Sequence, residues 1–318
     1  MRIAVVGAGG VGGLFGALLS RAGEEVAFVA RGTHLEAIRR DGLRVESPLG
    51  SFTVRAQASD DPAAVGTADA VLVAVKTWQV KEVAPRLRPL LGPATAVVPL
   101  ENGVEAADEL AAALGPGPVA GGLCHVLAWI EGPGAVRHTG FAPRVTLGEM
   151  AGGGSERLER LAGALRKAGM EAAVVADIRT ALWEKFLFID PFGSIGAVAR
   201  APVGEFLSAP ETRALLVAAM REVEALGRAR GARLAPDAVE RTLEGMERLP
   251  PEATASMQRD VLAGKPSELH EQTGAVVRLG RAAGVPVPVH EALYGPLLPQ
   301  ERRVRAVPRP LTAGGRAG

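Results

Sequence analysis

Chemistry in this chain starts at Gly7-Ala8-Gly9-Gly10-Val11-Gly12, set between an apolar β-branched run, Ile3 to Val6, and a helix-like segment, Leu14 to Leu19, that Gly23 stops. The order is strand, tight turn, helix. In such a turn Gly7 permits the reversal, Gly9 lets the backbone approach a pyrophosphate, and Gly12 lets the helix pack closely on the strand. The N–H groups at the helix start, at Gly10 and Val11, have no partner within the helix, and the helix dipole adds to their attraction for an anion. This pattern predicts a dinucleotide site; the plainer reading is a glycine-rich turn with no ligand. Arg31 follows the second apolar run, Glu25 to Ala30, where a carboxylate would accept from a ribose 2′-hydroxyl. A guanidinium there forks onto a 2′-phosphate instead, so NADPH is expected over NADH. The competing reading is an ordinary surface arginine.

Lys76 stands at the end of a third buried run, Ala70 to Val75, and Asn102 in Glu101-Asn102-Gly103 after a fourth, Ala94 to Pro99. Ligands of open parallel sheets lie beyond the carboxyl ends of the strands, so both polar groups fall where a cofactor belongs. A solvated loop lysine and a turn-forming Asn-Gly pair are the alternatives. Lys185 is of another kind. At helical spacing its neighbours are Ala181, Leu182, Phe188 and Ile189, all apolar. Such a lysine either snorkels to an edge or holds its ammonium in a cleft beside a ligand.

The elements that must position these groups follow in chain order. Leu43 to Glu46 and Ser51 to Val54 alternate in polarity around Pro48-Leu49-Gly50 and predict an inserted hairpin. Val119 to Leu127, Ala135 to His138 and Val145 to Gly148 read as further strands, Ser155 to Lys167 as a helix and Ala172 to Val175 as a last strand. After Asp177 the periodicity becomes helical, over Leu215 to Gly227, Ala238 to Leu249 and Glu268 to Ala283. The expected organisation is an α/β domain over 1–177, an all-helical domain over 178–300, and a loose tail rich in Arg, Pro and Gly over 301–318.

Composition narrows the partners. With a formal charge of +1 the chain has no basic surplus for nucleic acid, and no stretch has the length of apolar residues that a membrane span needs. The N-terminal apolar run is explained by the nucleotide turn better than by a signal peptide. Cys124 is the only cysteine, so no intrachain disulfide can form; a reducing, cytoplasmic setting is the expectation, and Cys124 is expected simply to pack. No metal site is expected.

Taken together, Gly7-Ala8-Gly9-Gly10-Val11-Gly12, Val75-Lys76-Thr77-Trp78-Gln79, Asn102-Gly103, Trp183-Glu184-Lys185, Ser256-Met257-Gln258-Arg259-Asp260 and Gly264-Lys265-Pro266-Ser267-Glu268-Leu269 resemble the ketopantoate reductase family. The match covers about residues 1 to 296 in the family's order. It implies a Rossmann-type doubly wound sheet followed by an all-α domain, an active site in the cleft between them, and NADPH as hydride donor. It further implies Lys185 as proton donor, Lys76 as a nucleotide contact, Asn102 as a contact of both cofactor and substrate, Ser256 as a substrate-binding serine and Glu268 as a glutamate near the cofactor. Without the resemblance, Ser256 reads as a helix cap and Glu268 as a first-turn acid.

One departure bears on the substrate. The family's better-studied members carry asparagines four and eight residues after the lysine and another further on, where this chain has Ile189, Gly193 and Val203; Asp190 substitutes only if the alignment shifts. A pocket that cannot satisfy a substrate hydroxyl penalises it. Ketopantoate is the leading 2-oxo acid and a more apolar one its competitor. A β-hydroxyacid or polyol-phosphate dehydrogenase and a non-catalytic NADP-binding sensor are the readings outside this class. The helical domain is the expected surface for a homodimer.

Overall fold

The computed structural model describes residues 1–306, which divide into two compact units, Met1–Leu182 and from Trp183 onward. The division falls five residues after the boundary expected from the change in periodicity, inside a helix that begins at Ile178.

In the first unit, the strands β1 (Arg2–Val6) and β2 (Glu25–Val29) flank the helix α1 (Gly10–Arg21) in sequence, and α2 (Gly32–Asp41) follows. The hairpin β3 (Leu43–Glu46) and β4 (Phe52–Val54) comes next, then β5 (Gln57–Ser59) and β6 (Ala70–Val73). A short helix α3 (Val80–Val83), the strand β7 (Ala96–Pro99) and the helix α4 (Ala106–Leu114) complete the nucleotide-type half. Five strands form one parallel sheet in the order β5-β2-β1-β6-β7. The order reverses at β1, and the crevice at such a reversal is where ligands of these sheets bind.

Both faces of this sheet are covered, which explains the near-continuous apolar runs of its strands. Ile3 and Val5 face α1, packing with Leu14, Phe15 and Leu18; Ala4 and Val6 face the opposite layer, with Val80, Leu87 and Leu110. The sequence expectation of an α/β doubly wound domain followed by helices is met.

The second sheet departs from expectation in detail. β8 (Ala120–Gly132) and β9 (Ala135–Glu149) are two long strands paired antiparallel, so the separate strands expected at Ala135 to His138 and Val145 to Gly148 are one. Gly140, at φ +78°, and Pro143 look like turn residues and fall in an irregularity of β9: the register with β8 passes from Arg144 opposite His125 to Thr139 opposite Leu127, and the pairing continues on either side of residues 140–143. The hairpin β3–β4 belongs to this sheet, not the parallel one, because β3 pairs with β9. The helix α5 (Glu156–Lys167), capped by the Ser155 hydroxyl, leads to β10 (Glu171–Val174) on β9.

Helices make up the second unit. α6 (Ile178–Ala199) enters it, followed by α7 (Val203–Ser208), α8 (Pro210–Ala229), α9 (Ala238–Glu247), α10 (Ser256–Leu262), α11 (Thr273–Ala283) and α12 (Pro288–Ala306). Among the described residues no helix is long and apolar enough to cross a membrane.

Two expectations are corrected here. The helix expected from Glu268 starts only at Thr273, because Ser267 is held by Glu301 and the residues after it form turns. Residues 301–306, assigned to a loose tail, are the last turns of α12. Glu301 is 2% exposed; its carboxylate accepts the Ser267 N–H at 3.1 Å and the Ser267 hydroxyl at 2.6 Å, and pairs with Arg305 at 2.5 Å. The rest of the expected tail, 307–318, lies outside the described residues.

Candidate active site

The glycine turn between β1 and α1 shows which of its glycines the protein itself demands. Gly7 has φ +95°, and a Cβ there would lie 2.6 Å from the Ala74 carbonyl oxygen. A Cβ on Gly12 would come within 2.1 Å of the Gly7 carbonyl oxygen. Gly9 is different: its φ is −72°, and nothing lies within 4 Å of where its Cβ would be. Neither backbone strain nor packing requires glycine at that position, so the open space fits a ligand that must touch the backbone. The N-terminal turn of α1 carries no acidic residue, leaving the positive end of the helix dipole for an anion. Gly10 and Val11 are partly exposed at this end.

The other first-unit candidates stand along the same edge of the parallel sheet. Arg31 lies just beyond β2, exposed, as the residue before α2. Lys76 lies beyond β6, with its Nζ 5.6 Å from the centre of the Trp78 ring. Asn102 follows β7. Its loop is tied to that of Lys76 twice: the Glu101 carboxylate accepts from the Val75 N–H at 3.1 Å, and the Thr77 hydroxyl donates to the Asn102 carbonyl at 3.2 Å. Glu101 is 7% exposed, so its contact is made largely out of water, where a hydrogen bond to a charged group is strong.

Lys185 lies in the second unit, on α6, half-buried. The rings beside it are ordered: Trp183 meets Phe186 edge-on at 5.7 Å, and Phe188 and Phe192 are 5.5 Å apart. Ser256 is the first residue of α10 rather than its cap, since the Gln258 side chain accepts from the Ala255 N–H at 3.2 Å. Glu268 is buried ahead of α11, accepting from the Gln272 amide at 3.1 Å, so it is not a first-turn acid of that helix. The first turns of α10 and α11 both pack on α6. Met257 lies against Gly193, and the Thr273 hydroxyl donates to Asp190 at 2.8 Å.

A family model described as "Ketopantoate reductase PanE/ApbA" matches residues 3–152, and its C-terminal companion matches residues 177–300. The chain belongs to the ketopantoate reductase family. A 2-dehydropantoate 2-reductase of Mesorhizobium japonicum is 33% identical over 316 residues, spanning 92% of this chain and 95% of the relative. Among solved structures, a PanE/ApbA family ketopantoate reductase from Ralstonia eutropha superposes with a TM-score of 0.87 at 32% identity, covering 96% of this chain and 100% of that one. A 2-dehydropantoate 2-reductase from Geobacter metallireducens gives 0.86 at 34% identity, covering 94% and 99%. As a ketopantoate reductase family member the chain is an oxidoreductase of the C=O/CH–OH class that uses a nicotinamide cofactor and a small keto acid.

Within that family the missing asparagines acquire a structural context. At Gly193 a Cβ would lie 2.9 Å from the Met257 methyl group, so Met257, 1% exposed, fills the space an amide would enter. Val203 is buried at the start of α7. Asp190 does not stand in for an asparagine: it is fully buried, with one oxygen taken by Thr273 and the other 2.8 Å from His290 Nε2. Cys124 is buried in β8, its thiol 3.6 Å from the Leu100 carbonyl oxygen.

Sequence reasoning missed Glu101 and Thr77 as loop ties, and it missed His34. Each acts through a bond to main chain that is remote in sequence, which no spacing rule reports.

Proposed function

We propose that this protein reduces 2-dehydropantoate (ketopantoate) to pantoate with NADPH, a step of pantothenate and coenzyme A biosynthesis in the cytoplasm. The observation that carries the reading is the open space at Gly9 on a sheet edge that also presents Arg31, Lys76 and Asn102. In this reading residues 1–177 hold the nucleotide and 178–300 the substrate-facing groups. The amides of Gly10 and Val11 at the dipole end of α1 hold the pyrophosphate, and Arg31 holds the 2′-phosphate. Lys76, Asn102 and Glu268 complete the nucleotide contacts.

The bound nicotinamide supplies the hydride. As the keto carbon is reduced, negative charge grows on its oxygen. The Lys185 ammonium stabilises that charge and then donates the proton. Asn102 orients the reacting groups through its amide, and the Ser256 hydroxyl donates to the substrate carboxylate. A homodimer formed through the helical unit is part of the proposal.

A second reading has its own support. Met257 stands where the family's second asparagine would project, and Ile189 and Val203 are apolar, which favours a 2-oxo acid with a more apolar side chain. One experiment tests both: a spectrophotometric screen of 2-oxo acids with NADPH and with NADH. Turnover of ketopantoate with NADPH above all others supports the first reading, and preference for an apolar 2-oxo acid the second. No turnover of any 2-oxo acid overturns both. Arg31→Ala should weaken NADPH binding far more than NADH binding; equal effects overturn the cofactor assignment.

A further inference from the structure

His34 lies in the first turn of α2, three residues after Arg31, and reaches two segments remote from it. Its Nε2 is 2.7 Å from the Ala8 carbonyl oxygen, inside the glycine turn. Its Nδ1 accepts the N–H of Gly134, in the turn between β8 and β9, at 3.0 Å. These partners assign the tautomer. An N–H can only donate, so Nδ1 is bare; Nε2 therefore carries the proton and donates to Ala8. Burial also holds the ring's pKa below its ordinary value, against the pull of the Ala8 backbone and, after it, that of Gly132, so the neutral form that this arrangement needs is the one present near neutrality.

The Ala8 carbonyl and the Gly9 N–H belong to one planar trans peptide and point in opposite directions. Holding that carbonyl against the imidazole aims the Gly9 N–H away from His34. We infer that His34 is a positioning residue for nucleotide binding: it clamps the Ala8–Gly9 peptide so that the Gly9 amide is presented to the pyrophosphate, with Gly134 fixing the ring. This rests on the dinucleotide reading of the glycine turn. It assigns that turn a support which the glycine pattern does not contain, since the motif specifies only where side chains must be absent.

The test is equilibrium binding by purified full-length protein, with melting temperature measured alongside. His34→Leu removes both hydrogen bonds, whereas His34→Gln offers an amide donor and an oxygen acceptor in their place. His34→Leu should weaken NADPH on the order of tenfold, the worth of one lost oriented hydrogen bond. Adenosine 2′-monophosphate, which has no pyrophosphate, should bind it as it binds wild type. His34→Gln should recover most of the NADPH affinity. Unchanged NADPH binding by His34→Leu overturns the proposal while leaving the nucleotide site intact, and equal losses for both ligands overturn it as general damage. A wild type that binds NADPH no better than adenosine 2′-monophosphate overturns the dinucleotide reading and the proposal together. Should His34→Leu fail to fold, ¹⁵N shifts of the wild-type ring decide: a protonated Nδ1 at neutral pH overturns the clamp.

Discussion

The carboxylate of Glu101 accepts a hydrogen bond from the Val75 N–H at 3.1 Å, joining the exits of two adjacent parallel strands. Lys76 and Asn102 are the residues immediately after these two anchors, so the tie limits how far their loops can separate. On the proposed reading, Glu101→Ala should raise the dissociation constant for NADPH several-fold with a smaller change in kcat, because it loosens the proposed binding groups rather than the proposed proton donor. Glu101→Gln retains an acceptor and should stay near wild type. Fluorescence titration with steady-state kinetics checks both.

On the proposed mechanism, Lys185→Ala removes a charge stabiliser and a proton donor together. Its kcat should fall on the order of a hundredfold or more, with cofactor affinity little changed. Measured NADPH oxidation within about threefold of wild type would take Lys185 out of the reaction.

On the proposed reading, the glycine turn separates folding from binding at positions three residues apart. Gly9→Ala meets nothing in the protein and has an allowed φ of −72°, so its stability should stay within about 0.5 kcal/mol of wild type while NADPH binding drops. Gly12→Ala drives a Cβ into the Gly7 carbonyl and should melt markedly lower. Differential scanning calorimetry with a binding titration separates the two; equal nucleotide affinity for Gly9→Ala and wild type would argue against close approach at that position.

His290 gives the helical unit a pH signature. Its ring sits between Asp190, 2.8 Å from Nε2, and Glu222, 2.6 Å from Nδ1. Burial alone would lower its pKa, but hydrogen bonds to the two carboxylates outweigh it and lift the value from 6.5 to about 9. A raised folded-state value means that the stabilisation is complete below about 6.5 and fades as the pH climbs through 9. Glu222 is also penalised by burial, yet its bonds to His290 and Val289 hold it below 4.5, so its share is lost on acidification. The contribution is greatest between about 4.5 and 6.5. From pH 6.5 to 9.5 wild type should lose roughly 2–3 kcal/mol in urea unfolding, and His290→Gln should show a flatter alkaline limb. Equal slopes would mean that the ring is not charged in the native state.

What the sequence made legible was whatever is local. The glycine turn, the buried parallel strands and the polar residues at their exits announce themselves through period and flanks over short windows. Gly9 and Asn102 could therefore be singled out from residue types alone. The ties could not. His34 meets Gly134 at a separation of 100 residues, Asp190 meets His290 at the same separation, and Glu301 meets Ser267 at 34. Composition also misled at 301–306, where arginines suggested a solvated tail; one of them, Arg305, instead pairs with a buried glutamate. The short strand β5 escaped notice because three residues show no alternation to count.

The ammonium of Lys76 over the Trp78 ring gives the molecule an optical readout of its own. A phosphate that draws this cation off the indole changes the field on the chromophore, and so its emission. Trp183, 6% exposed and edge-on to Phe186, is sheltered from such a change. If Lys76 contacts the nucleotide as proposed, its arrival can thus be followed in unlabelled protein, and Trp78→Phe separates the part of the signal that comes from the β6 exit from that of the exposed Trp129.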